Sequence, residues 1–564
     1  MAVRPKSLED ADRLLARSAF LIVLAVHALF FGGAPGDSDR RGELVHQATR
    51  AMAHGDGLLL RGDTPESAAL IAEGFEVRVV EGGAIANVEP LVAALGVPFH
   101  WVGARLGRLL ERTEAVHAAT SPGFAEGRSE YWAHLFVGLQ GPLYGAATVY
   151  LVCVAALRLG ARRRTALTGS LVLAFATCLW PSVSVVGAAA PAALLASAAL
   201  VALLHVRERF YRLTAPSVPH WLLLGGLLAA LAACEPLTSP AVLVLAWSAV
   251  RMSVRGRQRL WSMPLLRGGA GRKRSLADVT WFVLPMLAIG ALWWWGHLVR
   301  TGPAPFTPFE ALRPLGEWPH EILGLFVSPG KGLVWLAPVA FFALFGVIRF
   351  AQELRLLSFT IVAPLAVLAA SAATGEWSNL DEFAPRGASA ALAFAWPAVV
   401  VGYDQVRSRM KWRALGVALA ALGLLANAGG VVVSRGTWRT VVEQAAPQLL
   451  PSGPAPGERE FARAVAFDWH SAAPWFAWRV VRHRTAAEQG GFPADVFPAQ
   501  QVFAFAGVGS FSVAVPRDRG FAHLCWVDYE ERLDGHLWPV ILLVTAAFAT
   551  GVVGAVAALD PTRP

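Results

Sequence analysis

Charge is scarce in this chain. Only 16% of its 564 residues are Asp, Glu, Lys or Arg and 55% are hydrophobic, whereas an ordinary soluble domain carries roughly 25% charged residues. Cysteine is scarce too, with four in the whole chain. Cys153, Cys178 and Cys234 fall inside apolar runs, where a small buried hydrophobe is the ordinary reading. Cys525 stands alone, so the sequence offers no disulfide framework and no metal-type Cys/His spacing. The alternating ten-residue segments of an outer-membrane barrel are missing from the apolar stretches. An internal repeat, the mark of many transporters, is also missing.

What remains is a succession of long apolar runs from end to end. Lipid offers no hydrogen bonds, so such runs must satisfy their own backbone groups as helices. The expected fold class is therefore all-α, a polytopic integral membrane protein. The net charge of +9 is concentrated where apolar runs end: Arg158, Arg162, Arg163 and Arg164; Arg207, Arg209 and Arg212; Arg251 through Arg274; Arg407 through Arg413. That is the positive-inside pattern, which sets orientation, and it argues against nucleic acid as the partner. Arg4, Lys6, Arg13 and Arg17 precede the first run, Ala19–Phe31. This pattern reads as a retained signal anchor rather than a cleaved leader.

Threading the chain on these rules predicts about twelve spans, near 18–33, 132–157, 166–186, 190–206, 220–234, 237–250, 279–299, 332–349, 356–373, 388–404, 413–433 and 537–558. Both termini are then cytoplasmic in a multi-pass protein of the cytoplasmic (inner) membrane. Leu91–Val102 is short and holds Pro98 and His100, so it reads as an interfacial amphipathic helix. The run Leu222–Val250 is broken by Glu235-Pro236 and Pro240. Two short helices in a hairpin keep the basic segment 251–274 inside. The domains expected are a transmembrane domain at 1–433 with a first outer loop at 34–131, an outer-face domain at 434–536, and a last helix with its tail at 537–564. In the outer domain Pro451–Pro456 is linker-like, and Gln501–Pro516 alternates around Gly507 and Gly509 as a β-hairpin does.

Four places hold the chemistry. Asp37-Ser38-Asp39 follows the first span and precedes Arg41–His54, where Leu44, Val45, Ala48, Ala51 and Met52 form a helical stripe. A helix lying on the membrane would hold these carboxylates at the lipid–water boundary; the competing reading is that they cap that helix. Ser328-Pro329-Gly330-Lys331-Gly332 either offers backbone N–H groups and a cation to a phosphate or is a tight turn entering a span. In Glu376–Arg386 the charge is dense for a short loop. Arg386 there either takes a phosphate by its planar fork, snorkels, or pairs with Asp381 or Glu382. Glu235 is an ionisable group within an apolar hairpin, a functional suspect unless the hairpin tip reaches water.

Taken in order, these residues resemble the GT-C class of membrane glycosyltransferases, in the bacterial branch related to protein O-mannosyltransferases and aminoarabinose transferases. The likeness lies in the acidic pair opening a long first loop, the surface helix ending in His54-Gly55, Leu179-Trp180-Pro181, Phe326-Val327-Ser328-Pro329-Gly330-Lys331-Gly332-Leu333, and Ala384-Pro385-Arg386-Gly387. It spans roughly residues 15–430. The chain departs from that pattern at Ala189-Ala190-Pro191 and at Cys234-Glu235-Pro236. The resemblance implies transfer of a sugar from a polyprenyl-phosphate donor to a glycan, lipid or protein acceptor. Asp39 or Asp37 would be the base, with Lys331 and Arg386 binding the leaving phosphate. A divalent metal is left open, with no ligand spacing pointing to one. The rival readings are a non-catalytic GT-C-like envelope-assembly scaffold and a lipid-linked glycan flippase or transporter.

Overall fold

The computed structural model describes residues 6–31, 40–74, 76–111, 128–261, 271–301, 312–351, 353–380, 382–432, 438–439, 442–443, 459–468, 472–475, 478, 500–505, 509–514 and 538–560. Helix α1 (Lys6–Leu29) leads to a first loop that is a folded unit. It runs through α2 (Arg40–His54), β1 (Leu59–Leu60), α3 (Pro65–Glu73), β2 (Val77–Val80), β3 (Gly83–Ala86) and α4 (Pro90–Glu111). The stripe read from sequence is the inner face of α2, where Leu44, Val45, Ala48 and Ala51 are buried.

Helix α3 starts with a capping box between Thr64 and Ser67 and has Pro65 in its first turn, two devices that satisfy or remove orphan N–H groups. The strands form an antiparallel sheet in the order β1-β3-β2, with Leu59 opposite Ile85 and Val77 opposite Ala86. These strands carry no alternation in the sequence that would announce them. Helix α4 begins where the interfacial helix was expected but continues past Val102 to Glu111, with Pro98 inside it. The unit's own apolar core reaches the bundle through Val137, Val186 and Cys234.

The bundle follows: α5 (Arg128–Arg158), α6 (Arg163–Phe175), α7 (Leu179–Val183), α8 (Ala189–Tyr211), α9 (Val218–Cys234), α10 (Ser239–Trp261), α11 (Gly271–Thr301), α12 (Trp318–Val327), α13 (Leu333–Leu336), α14 (Ala343–Phe350), α15 (Leu354–Leu357), α16 (Ala363–Thr374), α17 (Ala388–Val406) and α18 (Met410–Val432). Its breaks have local causes. Between α6 and α7 the Thr177 hydroxyl donates to Leu173 O and accepts from Leu179 N, competing with the helical ladder. Pro236 opens a 3-10 turn that separates α9 from α10. Pro338 opens another between α13 and α14. Close helix approach relies on small residues. A Cβ on Gly346 of α14 would lie 2.2 Å from Ala398 O, and one on Gly402 of α17 would lie 2.1 Å from Phe342 O.

The chain is a multi-pass helical membrane protein. Among the described residues seven helices are long and apolar enough to cross a membrane, and Val218–Cys234 and Pro338–Phe350 are shorter apolar helices. In α11 and in α20 (Trp538–Leu559) only 17% of the apolar window is buried, which puts both at the rim. Beyond the bundle come α19 (Arg459–Phe467) and a hairpin of β4 (Gln500–Phe505) with β5 (Gly509–Ala514), in register from Gln500–Ala514 to Phe505–Gly509. The hairpin lies where sequence alternation placed it; Pro451–Pro456 and Cys525 lie outside the described residues.

The two ends of the bundle differ. At one, ion pairs tie short arginine-rich connections together: Arg163 with Asp12 at 2.8 Å, Arg407 with Asp404 at 2.9 Å, and Arg207 with Glu353 at 2.6 Å. At the other stand the first-loop unit and the 318–332 and 375–387 connections. Reporter fusions in the exposed turns at Thr214 and Gly82 are expected to give opposite compartments, Thr214 on the cytoplasmic side. The same compartment for both would rule out this threading.

Candidate functional site

At the loop-bearing end, α16 stops at Gly375, whose φ of 72° closes the helix in the left-handed region. A 3-10 turn over Glu376–Ser378 follows, and the chain returns through Glu382 and Arg386 to α17, capped by Gly387 at φ 82°. The loop is pinned from beneath. Trp377 is fully buried, and its indole N–H donates to the buried carboxylate of Glu321. Glu321 in turn pairs with Arg463 of α19 at 3.1 Å and Arg313 at 4.0 Å.

Lys331 is the second anchor. Its ammonium donates to the backbone carbonyls of Asn379 and Glu382. Three N–H groups of its turn are also engaged within the protein: Gly330 N with Ala466 O at 3.0 Å, Lys331 N with Ser328 Oγ at 3.3 Å, and Gly332 N with Ser328 O at 2.7 Å. In this geometry the Ser328–Gly332 segment is a tight turn whose cation props the neighbouring loop.

Arg386 sits at the centre, and only 13% of its side chain is exposed. Its Nε donates to Glu235 at 3.2 Å and its Nη2 to Glu89 at 3.1 Å. Glu376 lies 3.6 Å from Nη1, and Glu382 lies 3.9 Å from Nε. Arg41 of α2 faces Glu382 at 4.0 Å and Glu76 at 3.9 Å. One guanidinium thus joins the residue before α4, the α9–α10 turn and the 375–387 loop, with α2 alongside.

The carboxyls do not share its charge equally. Burial raises Glu89, but Arg386 and Arg41 beside it outweigh burial and hold it below the usual carboxylate range. Burial pushes Glu235 up to about 7; Arg386 opposes this, and Glu382 and Glu89 reinforce it. The two directions are compatible because Arg386 is divided among several carboxylates. Glu235 is therefore a group that can hold or release a proton near neutral pH, the range suited to acid–base work.

Asp37 and Asp39 lie outside the described residues, as does Asp381. The described chain resumes at Arg40, so Asp39 is joined covalently to the helix that carries Arg41. Lys331 and Arg386 are brought to one loop, though each is already engaged by protein groups. Sequence reasoning flagged Glu235 and the Glu376–Arg386 loop and missed Glu89 and Arg41. The signal for Glu89 was present as Glu-Pro at a helix start; its pairing across the fold was not.

A second cluster lies along α2. His46 lies against His134 of α5 with ring centroids 3.6 Å apart and planes tilted by 41°, and the His100 ring of α4 is 6.4 Å from that of His46. His134 Nε2 is 3.2 Å from Glu43. Among the described residues no group of three or more His, Cys, Asp or Glu is arranged to hold a metal ion. Burial, together with His134, His100 and Arg50, keeps His46 well below its ordinary value.

No family model and no curated protein matches the chain. Among solved structures it is similar to ArnT from Cupriavidus metallidurans bound to undecaprenyl phosphate, at 15% identity over 86% of this chain and 80% of that one, with a TM-score of 0.38. It is also similar to the Archaeoglobus fulgidus oligosaccharyltransferase in its apo form, at 11% identity over 82% of this chain and 63% of that one, with a TM-score of 0.41.

His46 and Glu235 give stability opposite pH slopes. His46 has a depressed value in the fold, so its contribution is present above pH 6.5, where the unfolded chain is neutral, and is lost as pH falls below that. Glu235 has a raised value, so its contribution is present at acid pH and is lost as pH rises through about 7. Melting of the purified protein, followed from about pH 4.5 to about pH 8, is expected to lose a rise in stability with pH below 6.5 in His46→Phe, and to lose a fall in stability between pH 4.5 and about 7 in Glu235→Gln. Unaltered slopes in both variants would contradict these environments.

Proposed function

We propose that the chain is a membrane glycosyltransferase that moves a sugar from a polyprenyl-phosphate donor to a glycan, lipid or protein acceptor on the outer face of the cytoplasmic membrane. The proposed topology has about twelve spans, cytoplasmic termini, and the 434–536 segment as an outer-face domain. The observation that carries the reading is the gathering of Arg386, Lys331 and Arg41 at the loop-bearing end, with Arg41 two residues after Asp39.

In the proposed reaction Asp39 takes the proton of the acceptor hydroxyl, with Asp37 orienting it. The hydroxyl oxygen forms a bond to the sugar's anomeric carbon as the bond from that carbon to the phosphate oxygen breaks. The lipid phosphate leaves with the electron pair and one more negative charge. Arg386 is suited to meet that charge, because one of its partners, Glu235, is close to its own protonation point. A phosphate competing with a carboxyl whose ionised form burial disfavours gives up less than one displacing a fixed ion pair. Lys331 supports the reading by holding the loop on which Arg386 is presented.

A second reading is a non-catalytic scaffold of the same class. It is favoured by one observation, that Arg386 is already matched by carboxylates and Lys331 by carbonyls.

Membranes bearing the wild type are expected to transfer sugar from at least one member of a panel of polyprenyl-phosphate sugars. Asp39→Asn should lower that transfer by roughly 10²-fold or more, the scale of a lost general base, with expression unchanged. Full activity in both Asp37→Asn and Asp39→Asn would remove these carboxylates from the mechanism. No transfer by the wild type to any acceptor would favour the scaffold.

A further inference from the structure

The opposite, arginine-rich end of the bundle holds a cavity of about 620 Å³ that the glycosyltransferase reading does not use. Its walls come from the ends of several helices: Arg158 closes α5, Arg207 lies near the end of α8, Ile348 and Arg349 are in the last turn of α14, Glu353 precedes α15, and Gln405 is near the end of α17. The volume falls within the roughly 300–1,000 Å³ common for small-molecule sites.

Its charge is unbalanced. Arg207 is committed to Glu353 through two hydrogen bonds, at 2.7 and 2.6 Å. Partial burial raises Glu353, but Arg207 outweighs it and keeps the carboxyl below its usual range, so this pair is closed. Arg158 and Arg349 have no acidic partner within 4 Å among the described residues. The Nη1 of Arg158 is buried and makes no hydrogen bond. An N–H donor of a cation buried without an acceptor is costly, a deficit that an anion entering the cavity would offset. Arginine presents the planar donor fork that suits a phosphate.

The cavity also opens toward lipid. Ile348 in its wall is 69% exposed, and Leu344 and Phe341, one and two helical turns away, are 59% and 44% exposed. An apolar stripe running from a cationic pocket along the outside of a membrane bundle is the surface a phospholipid presents itself to: headgroup in the pocket, acyl chains on the stripe. Basic pockets between spanning helices bind anionic headgroups in this way.

We propose that this cavity binds the phosphate of an anionic phospholipid from the adjoining leaflet, through Arg158 and Arg349, with its acyl chains along Phe341, Leu344 and Ile348. The site stands apart from the Arg386 cluster, so it holds or fails whatever that cluster does.

The test uses the full chain purified in detergent and native mass spectrometry with added phosphatidylglycerol, phosphatidylcholine or inorganic phosphate. One phosphatidylglycerol is expected to bind at least about tenfold more tightly than phosphatidylcholine. Arg158→Gln and Arg349→Gln should each weaken it about fivefold, the effect of one basic residue near an anionic lipid. Arg255→Gln, an exposed arginine on α10 away from the cavity, should leave it unchanged. Arg349 is exposed, so its variant keeps the test decisive if Arg158→Gln does not fold. Equal binding of the two lipids, wild-type binding in Arg349→Gln, or an equal loss in Arg255→Gln would overturn the proposal. Inorganic phosphate binding as tightly as phosphatidylglycerol would overturn the lipid assignment.

Discussion

A guanidinium at the mouth of a membrane bundle is tolerated only if carboxylates are buried with it, and at Arg386 they are drawn from three separate parts of the chain. Glu89 comes from the first-loop unit, Glu235 from the break between α9 and α10, and Glu376 and Glu382 from Arg386's own loop. Arg386, Glu89 and Glu235 are the most buried of these groups, and an unpaired ion in a low-dielectric setting loses several kcal/mol of hydration. The pairing therefore constrains the path of every segment that contributes to it. Lys331 on the Asn379 and Glu382 carbonyls, and Trp377 on Glu321, hold the same loop from the side away from the first-loop unit.

The other end of the bundle follows different rules. Its pairs are mostly one to one, as with Arg207 and Glu353 or Arg257 and Asp278, the latter at 2.8 Å and reinforced by Ser253. They stitch short connections together and leave an excess of arginine around the cavity. The loop-bearing end clusters carboxylates around few cations; among the described residues the arginine-rich end leaves Arg158 and Arg349 without a carboxylate. That asymmetry gives the molecule two sites of different chemistry, a titratable one and a fixed cationic one.

Much of the helical architecture was legible in the sequence because lipid leaves an apolar run little choice of conformation. The surface helix at Arg41–His54, the break at Glu235-Pro236 and the Gln500–Ala514 hairpin each had a local signal in periodicity, proline or alternation. The first-loop sheet did not announce itself. Its strands are two to four residues long, too short for alternation to register, and only Glu81-Gly82-Gly83 marked a turn. The extension of α4 past Val102 to Glu111 was likewise hidden, since the apolar run gives way there to Arg105 and Arg108. The site was visible in pieces. Arg386 and Glu235 were each conspicuous as charges beside apolar helices, but nothing local says that they meet each other and Glu89. That information lies in how the first-loop unit docks, through Val137, Val186 and Cys234, and not in any one segment.

The account depends on Arg386 and Glu89 being energetically coupled across the boundary between the first-loop unit and the bundle. A double-mutant cycle on unfolding of the membrane-embedded protein, using Arg386→Gln, Glu89→Gln and the pair, measures that coupling directly. A buried, hydrogen-bonded pair predicts an interaction energy of at least about 1 kcal/mol, with the double variant losing clearly less than the sum of the two single ones. Additive losses would mean that the two side chains do not meet, and the loop-bearing end would then have no common site.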